Sequence, residues 1–233
     1  MTIWALFDDG NRSYWKAIKK YFPETNVISV GINNLNELDY KKIDLSVFNT
    51  KLIEQLQELP QPDIILASPP CESWSNADTI KNYQPNSLIL NNYNFFLEQN
   101  KKFYANKRKN MYKNFFNKQR TRLYGEATQL GLNLILRTFN PKIWIIENPA
   151  TSRCWLYQQD YLNWNGIMNK TYYNNYGFDY TKPTIFKSNI ALNLKYEKIK
   201  QTTKWEKVCG YDNRSAIPEL LIKDIIDKCL EVK

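Results

Sequence analysis

The chain has 233 residues, 43% hydrophobic and 24% charged, with a net charge of +9 and no histidine. That length can bury a full core without disulfide staples, and the balance is wrong for a disordered chain. The missing histidine removes Ser-His and Cys-His catalysis and leaves a zinc site only cysteines and acids, so no metal is expected.

No apolar run approaches the ~18 residues of a membrane span. The stretch Met1–Asp9 lacks a basic region and meets acid too early for a secretory signal. Cys71, Cys154, Cys209 and Cys229 are scattered, with no C-x-x-C pair. A soluble cytoplasmic protein with reduced thiols is the expectation.

In chain order, Ile3–Phe7 is a short apolar run that ends at Asp8-Asp9-Gly10-Asn11, and a helix is predicted over 13–21. Asn26–Gly31 is a second apolar run, followed by a polar segment to Asp44. Leu52, Leu56 and Leu59 recur at helical spacing until Pro60 and Pro62 break the chain. Asp63–Ala67 reads as a fully buried strand and runs into Ser68-Pro69-Pro70-Cys71. Leu123, Ala127, Leu130 and Leu134 mark the expected core face of a helix that Asn140-Pro141 stops. Lys142–Ile146 is another buried strand, ending at Glu147-Asn148-Pro149. Lys182–Phe186 and a closing helix over 218–230 complete the chain.

Strands that are apolar throughout, alternating with helices, indicate an α/β fold with a mostly parallel sheet. In such sheets ligands sit beyond the carboxyl ends of the strands. Four polar clusters lie there: Asp8–Asn11, Asp44, Ser68–Ser75 and Glu147–Pro149. One domain spans 1–233, with 76–122 as a basic, aromatic insertion or mobile loop.

Charge is concentrated in that insertion. Residues 101–122 hold Lys101, Lys102, Lys107, Arg108, Lys109, Lys113, Lys118, Arg120 and Arg122 with no acid, and without these nine the chain is neutral. Phe103, Tyr104, Tyr112, Phe115 and Phe116 are interleaved with them. This mixture suits phosphate neutralisation together with base stacking, so a nucleic-acid contact is expected. The alternative is a solvated surface segment in an Asn-rich chain, with 28 Asn against 7 Gly.

Two segments carry chemistry. Cys71 follows two prolines at the end of a buried strand, where a thiol can become a nucleophile if a cation or a helix terminus lowers its pKa. A lone cysteine is otherwise a packing residue. Glu147 leaves a second strand end, as an acid for catalysis or as a cap or ion-pair partner. Trp74 belongs either to the pocket or to the core.

The segments SPPCESWS and IIENP resemble the Pro-Cys and Glu-Asn-Val signatures of DNA cytosine-5 methyltransferases, in a variant found among small phage-type members. The resemblance implies an α/β, Rossmann-like fold dependent on S-adenosylmethionine, with a mostly parallel central sheet, in a bacterial or phage-infected cell. It implies that Cys71 adds to C6 of a flipped cytosine, that Glu147 holds N3, and that C5 takes the methyl group. The cofactor contacts it implies are Phe7, Asp9, Gly10, Asn33, Asp44, Pro69 and Asn213. Asp9 and Asn11 stand where the family has glycines, and Asn33 stands near the usual ribose-binding acid. Tyr176-Gly177 with Lys182-Pro183-Thr184, and Asn213–Pro218, resemble later family stretches. DNA contacts are expected from Ser75, Arg153, Lys182 and the basic segment, with RNA as an alternative substrate. Two further readings stay open: a methyltransferase-like binding protein without catalysis, such as a phage-encoded regulator or inhibitor of a host defence system, and a plain nucleic-acid-binding module.

Overall fold

In the computed structural model the described residues are 1–8, 10–74, 109–200, 203, 208 and 210–232; for 109–119, 211 and 212 only the backbone is described. Seven strands form one sheet in the order β3-β2-β1-β4-β5-β7-β6. They are β1 (Thr2–Leu6), β2 (Asn26–Gly31), β3 (Tyr40–Lys42), β4 (Ile64–Ala67), β5 (Ile143–Pro149), β6 (Ile167–Tyr172) and β7 (Pro183–Ser188). The first five are parallel, and β7 runs antiparallel to both β5 and β6. The expected mostly parallel α/β sheet is therefore present.

The helices are α1 (Ser13–Tyr21), α2 (Leu52–Gln57), α3 (Lys109–Phe139), α4 (Cys154–Asp160), α5 (Tyr211–Ser215) and α6 (Glu219–Glu231), with a 3-10 turn at Tyr173–Tyr176. Because side chains alternate along a strand, the apolar strands feed two cores. On one face Ile3, Ala5, Ile64, Ile143 and Ile145 pack with Ala17 of α1 and Ile222 of α6. On the other, Trp4, Leu6, Ile65 and Ile146 pack with Leu56 of α2, Leu132 of α3 and Trp155 of α4. After β1 the chain builds β2 and β3 on one side, then crosses to β4 on the other. The carboxyl ends of β1 and β4 thus flank the point where strand order reverses, where α/β sheets open a ligand crevice.

Helix α3 begins at Lys109, so residues 109–122 of the basic, aromatic segment are helical. Its 31 residues contain no proline, and it ends where Asn140 turns left-handed (φ 41°) before Pro141. The buried face of α3 differs in part from the sequence expectation. Ala127 is buried as expected, but Leu123, Leu130 and Leu134 are exposed, while Leu132, Ile135, Leu136 and Phe139 are buried beside Arg122, Glu126, Thr128 and Gln129. Apolar spacing selected the wrong face because these polar groups hydrogen-bond within the protein. Arg122 Nε donates to Glu126 at 2.7 Å, and Gln158 Nε2 donates to Gln129 Oε1 at 2.8 Å. No helix among the described residues is long and apolar enough to cross a membrane.

Candidate active site

The register of β5 makes the site. Its pairing with β4 stops at Ala67–Ile146, but its antiparallel pairing with β7 continues through Glu147–Phe186, Asn148–Ile185 and Pro149–Thr184. Strand β5 therefore outruns β4, and Glu147-Asn148-Pro149 stands beside the chain leaving Ala67. Asn148 Nδ2 donates to the Pro69 carbonyl at 2.9 Å, which ties the two strand ends together. The Trp74 amide then donates to the Cys71 carbonyl at 3.0 Å and closes a turn. Glu147 points to the opposite face from Asn148, where Tyr173 Oη donates to its Oε1 at 3.1 Å. Tyr14 lies close by, sharing a 2.8 Å hydrogen bond with Ser68 Oγ.

Electrostatics link Cys71 with Glu147. Burial first, and then the Glu147 carboxylate, push the Cys71 thiol up, while Lys182 pulls it down. Tyr173 and Tyr14 are also pushed up, by burial first and by Glu147 second, so both remain neutral donors near the carboxylate. Lys182 Nζ sits 4.7 Å from the centre of the Tyr173 ring and donates to the Arg214 carbonyl at 3.1 Å. The site therefore holds a half-buried thiol, a buried carboxylate, a neutral phenol on that carboxylate and one ammonium group. Acid–base and nucleophilic chemistry without histidine or metal is within its reach.

The turn leaving β1 is more unusual. Phe7 (φ 59°), Gly10 (φ 66°) and Arg12 (φ 49°) all take left-handed backbone in the turn into α1, which is costly at the two residues that carry a Cβ. Asp8 holds the turn: its carboxylate accepts the Tyr14 and Trp15 amides at 3.2 and 3.1 Å and Ser29 Oγ at 2.8 Å. Burial still lifts Asp8 to about 6. Arg12 is buried, stacks 4.2 Å over Trp15 and pairs with Glu37 in the loop after β2. Its Nε and Nη2 have no hydrogen-bond partner among the described residues. The C-terminal segment closes this end, with Asn11 Nδ2 donating to Ser215 Oγ at 3.4 Å and the Ile217 amide to Ser13 Oγ at 3.2 Å.

These groups fit a zwitterionic nucleoside cofactor. The partly unpartnered Arg12 guanidinium suits a carboxylate, and Glu37 or the exposed Asn33 suits ribose hydroxyls. Of the other expected contacts, Gly10 is exposed in the turn, Phe7 is half-buried and Pro69 is buried. Asp44 is tied down, its Oδ1 accepting the Ser46 amide at 2.9 Å and Tyr124 Oη at 3.1 Å. Asn213 is exposed in α5, its carbonyl taking the Tyr180 hydroxyl at 2.9 Å. Asp9 lies outside the described residues.

Among the expected nucleic-acid contacts, Ser75, Lys101, Lys102, Lys107 and Arg108 lie outside the described residues. Lys109 and Lys113 lie in the first turns of α3, and Arg120 is exposed about two turns further on. Arg122 is not available to a phosphate, because it is 2% exposed and paired with the buried Glu126. Trp74 is core, packed 5.0 Å from Tyr157. Arg153 precedes α4, its amide donating to the Trp74 carbonyl at 2.9 Å. Sequence reasoning named Asp8 only within the Asp8–Asn11 cluster, without a role of its own, and passed over Arg12, Glu37, Tyr173 and Lys187. Only Asp8 carried a local signal, as an acid shortly before a helix.

An antiparallel β7 between β5 and β6, next to five parallel strands, defines an α/β, Rossmann-like fold. No protein-family model and no curated protein matches the sequence. Solved structures do match. A methyltransferase of Entamoeba histolytica, EhMeth, is 14% identical with a TM-score of 0.47, over 87% of this chain and 57% of that one. The Dnmt2 methyltransferase of S. pombe is 14% identical with a TM-score of 0.45, over 89% and 53%. A mutant of Spodoptera frugiperda DNMT2 is 15% identical with a TM-score of 0.45, over 88% and 56%. This chain thus spans a little over half the length of each.

Proposed function

We propose that the chain is a cytosine-5 methyltransferase acting on DNA with S-adenosylmethionine as methyl donor. The observation that carries the reading is the coupling of Cys71 to Glu147 at two adjacent strand ends held by the Asn148–Pro69 hydrogen bond. Cys71 gives up its thiol proton to Glu147 and, as thiolate, forms a bond to C6 of an extruded cytosine, while Glu147 passes that proton to N3, so the electron pair gathers at C5. The cofactor would supply the methyl group as a sulfonium electrophile, held from the Arg12, Glu37 and Asn33 side of the crevice. Tyr173 keeps Glu147 oriented toward the base. The C5 proton then leaves to water, the Cys71–C6 bond breaks and the N3 proton returns to Glu147. Lys182 offsets negative charge in both directions.

The deciding experiment pairs transfer of labelled methyl to cytosine-containing DNA, and separately to RNA, with trapping by DNA carrying 5-fluorocytosine. Fluorine leaves C5 with no proton to lose, so the adduct accumulates and its mass identifies Cys71. Transfer to RNA alone would change the substrate and keep the chemistry. No transfer to either, with Cys71→Ser indistinguishable from wild type, would overturn it.

One observation favours a second reading, a fold kept for binding without catalysis. Arg12 and Glu37 bridge the two loops around the carboxyl ends of β1 and β2, across the crevice a cofactor would enter. Calorimetry with S-adenosylmethionine separates the two readings: ordinary micromolar affinity removes the second, and no heat at millimolar cofactor removes the first.

A further inference from the structure

A cavity of about 660 Å³ opens on the α3–α4 face of the sheet. Its floor is the β6–β7 ladder, where Met168 stands opposite Lys187 and Lys170 opposite Ile185. The segment leaving β5, Ala150–Arg153, and helix α4 form its wall, so it begins where the Glu147 strand ends. Three cations, Arg153, Lys170 and Lys187, line it with no acid, alongside Trp155, Trp164 and Tyr196.

Lys187 is the unusual member. It is 4% exposed and donates to Gln158 Oε1 at 3.1 Å and to the Trp164 carbonyl. Both are neutral acceptors, and none of the ion pairs among the described residues includes it. Burial pulls it down to about 8. An ammonium held in the interior beside an open cavity, without a counter-charge, is costly unless a ligand supplies the anion. Trp155 is fixed by its Nε1 bond to the Pro149 carbonyl at 3.0 Å, so that wall is rigid. Tyr196, 53% exposed, stacks on Tyr172 at 4.8 Å and 8° and gives the cavity a supported aromatic edge. Cations without acids, beside fixed rings, are the chemistry of a nucleotide site.

We infer that this cavity holds one nucleotide of the substrate strand, its phosphate drawn to Lys187, Lys170 and Arg153 and its base stacked on Tyr196. The inference rests on the reading that a cytosine is processed at Cys71, since Ala150–Arg153 joins the Glu147 strand to the cavity. A nucleotide further along the strand is then gripped while the target base is held at Glu147.

The test measures binding of a short labelled single-stranded DNA, without cofactor, over a range of salt. Lys170→Glu and Tyr196→Ala are surface changes, and Lys187→Gln keeps a polar side chain within reach of Gln158. Lys41→Glu on β3, the opposite edge of the sheet, is the control. Each of the first three weakens binding about tenfold, Lys170→Glu lowers the salt slope by about one, and the control changes neither. Wild-type affinity in all three variants, or no binding by the wild type, overturns the inference. Deoxycytidine monophosphate bound in the cavity without displacing the strand also overturns it, by pointing to a free nucleotide. Loss of strand binding in the variants of a protein that transfers no methyl group leaves the nucleotide site standing and removes the catalytic reading instead.

Discussion

Asn148 Nδ2 reaches the Pro69 carbonyl across 2.9 Å, so the strand carrying Glu147 and the turn carrying Cys71 are joined by one buried hydrogen bond. Asn148 is fully buried, and a lost partner there has no water to replace it. Asn148→Ala should cost about 1–3 kcal/mol in urea unfolding. Methyl transfer should fall by about tenfold or more, because misplacement of about an ångström weakens a reacting geometry. Asn148→Asp should be worse than Ala, because it sets a carboxylate against a carbonyl. Equal stability of all three proteins would show that the tie is incidental.

The Cys71 thiol starts above its ordinary value of 9.0, held up by burial and then by Glu147, and moderated by Lys182. Below its pKa the thiolate fraction rises about tenfold per pH unit, so alkylation of Cys71 should climb steadily through pH 7 to 9. Glu147→Gln removes a neighbouring negative charge and should move the midpoint down; Lys182→Met should move it up. Mass spectrometry of the Cys71 peptide after timed iodoacetamide labelling reads this without any turnover. Midpoints that ignore both substitutions would break the proposed coupling.

The parallel strands were legible because burial on both faces leaves continuous apolar runs, as in Asp63–Ala67. Strand β3 was not, since only Tyr40 of Tyr40-Lys41-Lys42 is buried. The strand-end positions of Cys71 and Glu147 could be read from residue type and place. Tyr173 and Lys187 could not, because their neighbours come from antiparallel register between β5, β6 and β7, which no local pattern encodes. The core face of α3 failed for a related reason. Its buried Arg122 and Glu126 bond to each other and Gln129 bonds to Gln158, whereas polarity alone suggests solvent.

Two glycines in α3 should respond differently to alanine. A methyl at Gly131 would overlap the backbone carbonyl of Leu45, which cannot swing away. A methyl at Gly125 would overlap Ser73 Oγ, the end of a short side chain in the turn after Cys71. Overpacking typically costs about 1–3 kcal/mol, against a gain of about 1 kcal/mol in helix propensity. Gly131→Ala should therefore lose net stability, while Gly125→Ala should keep most of its stability and lose activity as the Cys71–Trp74 turn shifts. Urea midpoints and methyl-transfer rates on the same preparations distinguish them.

Lys187 makes a prediction about alkaline stability that needs no ligand. Its folded-state value of about 8 lies below its ordinary 10.5, so folding disfavours the charged form. Below about pH 8 both states carry the proton and the full cost is present. Between about 8 and 10.5 the unfolded chain keeps a proton that the folded one has released, so this group makes stability rise with pH. The urea midpoint of wild type, minus that of Lys187→Met, should therefore climb across that window and level off above it. A nucleotide phosphate in the cavity restores the charge on Lys187, so saturating oligonucleotide should flatten the same climb. A difference that stays constant from pH 7 to 10.5 would mean that Lys187 is charged in the fold without cost, and that the cavity has no unmet need for an anion.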